Sequence, residues 1–218
     1  MSGYDKATLE QQIRDCANGF AFLATDDVMV LTADRAAVAT FEYKDDGETL
    51  ANAEIALFPN KKRLNIDWLN SYATNHPSFS GRQAVKNILT LADELEYDTL
   101  HVTAVEVGGY FWARCGFTPT PEAWEDAKEG IQTRLGGLKI INALHGLEDA
   151  TQLVEKALES DDPRMIGVIA DSKLGITLLD NMSWEGNLDL HDATARQRLE
   201  TYISAPKRYQ SMEEGMER

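Results

Sequence analysis

The sequence predicts an α/β (α+β) fold, a mixed twisted sheet with flanking helices, and three observations predict it. Residues 80–117 read as an amphipathic helix opened by a glycine, a β-branched strand and a short helix ended by Gly116-Phe117. Upstream, residues 28–58 alternate apolar and polar side chains as a strand meander does. Downstream of Phe117 a helix-rich stretch is followed by SWEGNLDL, a strand-like run that returns to the sheet.

Taken in order, residues 7–19 predict a short helix ended by Asn18 and Gly19, and residues 20–23 a first strand. Residues 28–31 and 36–43 follow as strands, Asp45-Asp46-Gly47 supplies a turn, and residues 50–58 form the next strand. Residues 63–68 (RLNIDW) are the strand before a polar loop, 70–80, that contains Pro77. Ser80 is a plausible N-cap for the helix at Gly81, whose Ala84, Val85, Ile88, Leu91, Ala92 and Leu95 recur at helical spacing. Its unpaired amides and positive dipole end favour an anion ahead of Gly81. Residues 98–104 (DTLHVTA) suit a buried parallel strand, and residues 109–114 a short helix closed by Gly116. Helical periodicity returns at 122–134, 147–159 and 163–173, the last begun by Asp161-Asp162-Pro163. In 183–190, Trp184, Leu188 and Leu190 share one strand face and Gly186 allows a bulge; a helix over 193–203 and a mobile tail from Ala205 complete the chain. The expected division is a core over 1–120, a helical insertion over 121–182, and a strand, helix and tail over 183–218 that complete the same domain. The insertion is placed to act as a lid or partner surface, or as a layer over the sheet edge.

With 218 residues, 43% of them hydrophobic, the chain can bury one substantial core and a small second one. No apolar run approaches the roughly 20 residues of a membrane span, and the first fifteen residues lack an apolar signal core. A cytoplasmic setting, or a particle assembled there, is expected. Two cysteines, Cys16 and Cys115, argue against a disulfide framework, and the four histidines lack metal-ligand spacing. The net charge of −15 is spread along the chain, with 17 acidic and 10 basic side chains in residues 1–120 and 19 and 11 in the rest. Such a surface disfavours direct binding to nucleic acid or anionic lipid and favours cationic partners, unless it serves solubility alone.

The stretch SGRQAVKNILTLADELEYDTLHVTAVEVGGYFWARCGF resembles the central part of the GNAT superfamily of acyl-CoA N-acyltransferases, especially a divergent branch met in bacteriophage genomes. The resemblance is close over 80–117 and looser beyond. It implies that acetyl-CoA is the acyl donor and that an amine on a small molecule or a protein is the acceptor. It also implies that the strands ending near Trp68 and Ala104 part above Gly81 to admit the cofactor. The family's cofactor loop reads Gln or Arg, two residues, Gly, one residue, Gly; here the window is His76 to Gly81, with Phe79 at the first glycine. The cofactor-binding residues so implied are Phe79, Ser80, Gly81, Arg82 and Gln83, with Arg82 pairing a phosphate oxygen. The family's tyrosine, which protonates the departing thiolate, falls at Trp112, whose indole cannot act as an acid near neutral pH. Tyr110 is the substitute, and Asp67 and Glu106 are the candidate bases. The rival expectation is an inactive descendant of the fold, a virion component or a binder of a phage or host protein. An acidic mimic of nucleic acid is a third.

Overall fold

The computed structural model describes residues 23–29, 37–45, 48–72, 81–105 and 108–205. The helix expected over 7–19 lies outside them. Seven strands, β1 (Leu23–Met29), β2 (Ala37–Asp45), β3 (Glu48–Phe58), β4 (Arg63–Ser71), β5 (Thr99–Ala104), β6 (Thr118–Pro119) and β7 (Trp184–Asp189), form one sheet in the order β1-β2-β3-β4-β5-β7-β6. Every neighbouring pair is antiparallel except β4 and β5. A parallel pair needs a crossover, and α1 (Gly81–Glu94) provides it. The mixed sheet with its flanking helices is the α/β arrangement that the acyltransferase resemblance implies.

Helix α1 forms because Ala84, Val85, Ile88, Leu91 and Ala92 make one apolar face, and all are buried. The helix stops where Glu96 takes a left-handed φ of 55° and the Tyr97 amide donates back to Ala92 O at 2.8 Å. Helix α2 (Gly108–Cys115) follows β5 and buries Trp112, Ala113 and Cys115. After β6 come α3 (Pro121–Ile140), α4 (Glu148–Leu158), α5 (Met165–Asp171) and α6 (Gly175–Leu179). Thr120 caps α3 by accepting from the Ala123 amide, with Pro121 in its first turn. Trp124, wholly buried, donates from Nε1 to Ser160 O at 3.1 Å and so ties α3 to the end of α4. Last is α7 (Ala193–Ser204), capped by Asp192. No helix among the described residues is long and apolar enough to cross a membrane.

Strand β7 lies between β5 and β6, and its Trp184, Gly186 and Leu188 stand opposite Ala104, Val102 and Leu100 of β5. Trp184 and Leu188 are buried, and the Trp184 indole donates to Gly109 O at 3.3 Å. Apolar contacts run without a break from Phe41 on β2 through Leu100 on β5 to Leu178 on α6.

Several expectations are corrected. Residues 23–29 form one strand, with a register shift between Thr25 and Asp27, where separate strands over 20–23 and 28–31 were expected. The shift absorbs an Asp-Asp pair that reads as a turn in one dimension. Helix α3 runs through Gly136 and Gly137 to Ile140, six residues beyond the expected end, and Lys139 near its end pairs with Glu155 of α4. Gly186 makes no bulge, because β5 and β7 stay in register past it. It is small for a different reason: a Cβ there would meet Thr118 O at 2.5 Å and the Trp184 ring at 2.6 Å.

Gly186→Ala must therefore push β6 or Trp184 aside, and a loss of about 1–3 kcal/mol is expected for such overpacking. Urea denaturation measures it; an unchanged midpoint would contradict the close approach of β6.

Candidate functional site

Strands β4 and β5 pair over only four positions, Arg63–Thr99, Leu64–Leu100, Asn65–His101 and Ile66–Val102. Past that point each strand continues, but with its outer neighbour alone. Strand β4 stays on β3 as far as Ser71, and β5 stays on β7 as far as Ala104. The cause lies in the β3–β4 register, where Glu54 opposes Trp68 and Ile55 opposes Ile66, leaving Asp67 as an extra residue. A bulge of this kind bends the strand that carries it and raises its local twist. Here it stands one residue past the last β4–β5 pair, so backbone groups of the two strands are left without ladder partners.

The first turn of α1 is set beside this opening. An ideal Cβ on Gly81 would lie 3.7 Å from the Ser71 Cβ at the end of β4, an ordinary contact. The amides of α1's first turn are thus presented next to the end of the parted strand. Asp67 is half-buried in the bulge, and no described residue makes a hydrogen bond or ion pair with its carboxylate.

The other expected residues divide. Arg82 is occupied elsewhere: its Nη1 donates to Ala205 O at 3.0 Å and its guanidinium lies 4.4 Å from the centre of the Tyr202 ring. Gln83 donates from Nε2 to Asn87 Oδ1, one turn on in α1, at 3.0 Å. Tyr110 is half-buried in the first turn of α2 and packs against the core. Trp112, where the acyltransferase resemblance would place a tyrosine, is buried between Phe111 and Phe117, with ring centroids at 4.9 and 5.0 Å and edge-on geometry. Phe79, Ser80 and Glu106 lie outside the described residues. His101 is buried, its ring nitrogens 2.8 Å from Asn187 Oδ1 and 3.1 Å from Glu185 Oε1 of β7. Among the described residues no cluster of His, Cys, Asp or Glu could hold a metal ion.

Sequence reasoning missed the part that α7 plays. The helix lies antiparallel to α1 and is pinned at both ends. Arg196 near its start makes two hydrogen bonds to Asp93 near the end of α1, at 2.8 and 2.7 Å, while Tyr202 and Ala205 at its end hold Arg82. Hydrogen bonding to Asp93 holds the Arg196 guanidinium charged. Arg198 reaches α2 and α5, donating to Ala113 O at 3.3 Å and Gly167 O at 3.1 Å. Burial pushes the Cys115 thiol well up, against the attraction of Arg82, Arg198 and Arg114, so this cysteine is packing and not a nucleophile. These contacts join residues from 31 to 123 positions apart, and no local pattern announces them.

No family model and no curated protein matches the sequence. Solved structures that are similar over part of the chain include two acetyltransferase-related proteins. One is a tandem GNAT protein from the clavulanic acid biosynthesis pathway, solved without acetyl-CoA, at 18% identity and a TM-score of 0.37; the match covers 42% of this chain and 31% of that one. The other is nourseothricin acetyltransferase, at 15% identity and a TM-score of 0.34, with 49% of this chain and 78% of that one covered. The chain thus matches under a third of the tandem protein's length.

The clamp on Arg82 is open to a double-mutant cycle with Arg82→Ala and Tyr202→Ala. A coupling of about 0.5–2 kcal/mol is expected for a cation over an aromatic face. Strict additivity in chemical denaturation would mean that the stack contributes nothing.

Proposed function

We propose that the protein is a GNAT-like N-acetyltransferase that moves an acetyl group from acetyl-CoA to an amine acceptor, on a small molecule or a protein. The single observation that carries this reading is the opening between β4 and β5, with the first turn of α1 beside it. An extended thioester chain can pair with strand edges that lack partners, while amides at a helix start suit the pyrophosphate. The residues present fit that group in part. Gly81 leaves the backbone approachable, whereas Arg82 must first leave Tyr202 to reach a phosphate.

Acetyl-CoA supplies the activated acyl carbon and the leaving thiolate. The chain's share is to bind, orient and move protons. Asp67, re-aimed by the bulge, takes the proton that the amine must lose, with Glu106 as the alternative base. Tyr110 gives a proton to the departing sulfur, directly or through a water. Gly81 and its neighbours Phe79, Ser80 and Gln83 supply the backbone that faces the pyrophosphate.

One observation favours a second reading. Trp112 is locked in the core where the family has its acid, and this suits a catalytically inactive relative, such as a phage virion component or protein-binding module. In that case the opening persists as an inherited feature of the sheet.

Calorimetric titration with acetyl-CoA separates the two, saturable binding being expected. Gly81→Asp should abolish it through charge and bulk at the helix start, while the melting temperature stays near wild type, since the site has room for a Cβ. An Asp at this position that binds as wild type would move the ligand elsewhere. In turnover assays, Asp67→Asn and Tyr110→Phe should each lower kcat by about 100-fold or more, the usual worth of general acid–base catalysis, with little change in KM. Unchanged kcat in either variant removes that residue from the mechanism.

A further inference from the structure

A recess of about 400 Å³ opens between α7, the end of α2 and the end of α5. Along α7, Thr194, Gln197, Arg198, Thr201 and Tyr202 recur at helical spacing and line one side of it. Arg114 from the last turn of α2 and Asp171 from the end of α5 line the other.

The charge here runs against the rest of the chain. Overall, 36 acidic side chains outnumber 21 basic ones. At the recess, Asp171 is the one carboxylate among the described residues that pairs with Arg114 and Arg198, accepting from them at 2.7 and 2.6 Å through different oxygens. Arg82 and Arg114 lie 4.4 and 5.6 Å from the centre of the Tyr202 ring, and among the described residues Arg82 pairs with no carboxylate. Arg114 and Arg198 are only 32% and 30% exposed, so water and salt screen their charge incompletely. All three guanidinium groups act on the Cys115 thiol behind them.

Hydrogen-bonding capacity is also left over. The exposed side chains of Thr194, Gln197 and Thr201 make no hydrogen bond with any described residue, and Arg114 uses only its Nη1 among the described residues. Two hydroxyls, an amide and the Nε and Nη2 of Arg114, which no described residue engages, exceed around one recess what a single carboxylate ligand can use. A phosphate group carries more acceptor oxygens and more charge, and the planar guanidinium suits it.

We propose that this recess is a binding site for a phosphate-class anion, inorganic or carried on an organic ester. Arg114 and Arg198 hold the charge, and Thr194, Gln197 and Thr201 complete the donor set. The proposal stands independently of the acetyltransferase reading, since the residues that hold the anion lie on α2 and α7 and away from the β4–β5 opening.

Inorganic pyrophosphate is the probe, titrated calorimetrically at low ionic strength into wild type, Arg114→Gln, Thr201→Glu and, as a control on α3, Glu122→Gln. Saturable binding to wild type and the control is expected. Arg114→Gln should weaken it by about tenfold or more, the worth of a lost charge-assisted hydrogen bond, and Thr201→Glu should abolish it. Thr201 is exposed, so its variant tests the site even where Arg114→Gln does not fold. No saturable binding to wild type overturns the proposal. So does wild-type affinity in folded Thr201→Glu. Repeating the titration with coenzyme A present distinguishes the sources. Once Thr201→Glu has abolished binding and so placed the probe in the recess, displacement of pyrophosphate identifies a phosphate of that ester as the occupant, and simultaneous binding identifies a separate phosphate-bearing ligand; either outcome supports the site.

Discussion

Two neighbouring strands that stop pairing partway leave polar backbone unsatisfied in the middle of a sheet, where each lost hydrogen bond costs free energy unless water or a ligand replaces it. The organisation of this molecule follows from that constraint. Strands β4 and β5 share four paired positions and then part, because Asp67 is accommodated as an extra residue against β3. Each strand keeps its outer ladder, so the sheet stays intact on both sides while its centre opens. Strand β7 makes this affordable on the β5 side: it pairs along all of β5 and buries Trp184 against α2.

The helices on the sheet follow from the same gap. Helix α1 must cross from β4 to β5, and its start is delivered beside the end of β4. Helix α7 then lies along α1, held by Arg196 on Asp93 at one end and by Arg82 on Tyr202 at the other. The residue next to the anion-seeking turn is thereby engaged by the carboxy-terminal helix. Access of a phosphate to Arg82 and the docking of α7 are linked through one side chain, and each must weaken the other. Beyond Arg82, the guanidinium groups of Arg114 and Arg198 extend basic character along the flank of α7 in an otherwise acidic protein.

Most elements of the sheet and the principal helix were legible in the sequence, and the reason is periodicity. The apolar face of α1, the β-branched run of β5 and the alternation in β2 and β3 are local patterns that burial rewards directly. Residues 183–190 were legible as a returning strand because Trp184 and Leu188 need a buried face. What escaped depends on register or on distant partners. The bulge at Asp67 is a property of two strands together, and neither strand displays it alone. Strand β6 has two residues, too few to carry a period, and α6 has five. The role of Gly186 is set by Thr118, which is distant in the chain. The same holds for the candidate site. Asp67 was named from the acyltransferase resemblance and Gly81 from its place at a helix start, whereas the engagement of Arg82 by Tyr202 and Ala205 spans more than a hundred residues and had no local signal.

The central claim is that the β4–β5 opening receives the ligand. Residue-resolved amide hydrogen exchange, with and without saturating acetyl-CoA, tests it most directly. In the free protein, those amides of residues 67–71 that point away from β3 should exchange much faster than the paired amides of residues 63–66. Acetyl-CoA should slow them selectively, together with the first turn of α1. Equal protection of both segments in the free protein would mean that the strands pair throughout. Binding that leaves residues 67–71 unchanged would mean that the opening is not where the ligand lies, and either result would contradict the account.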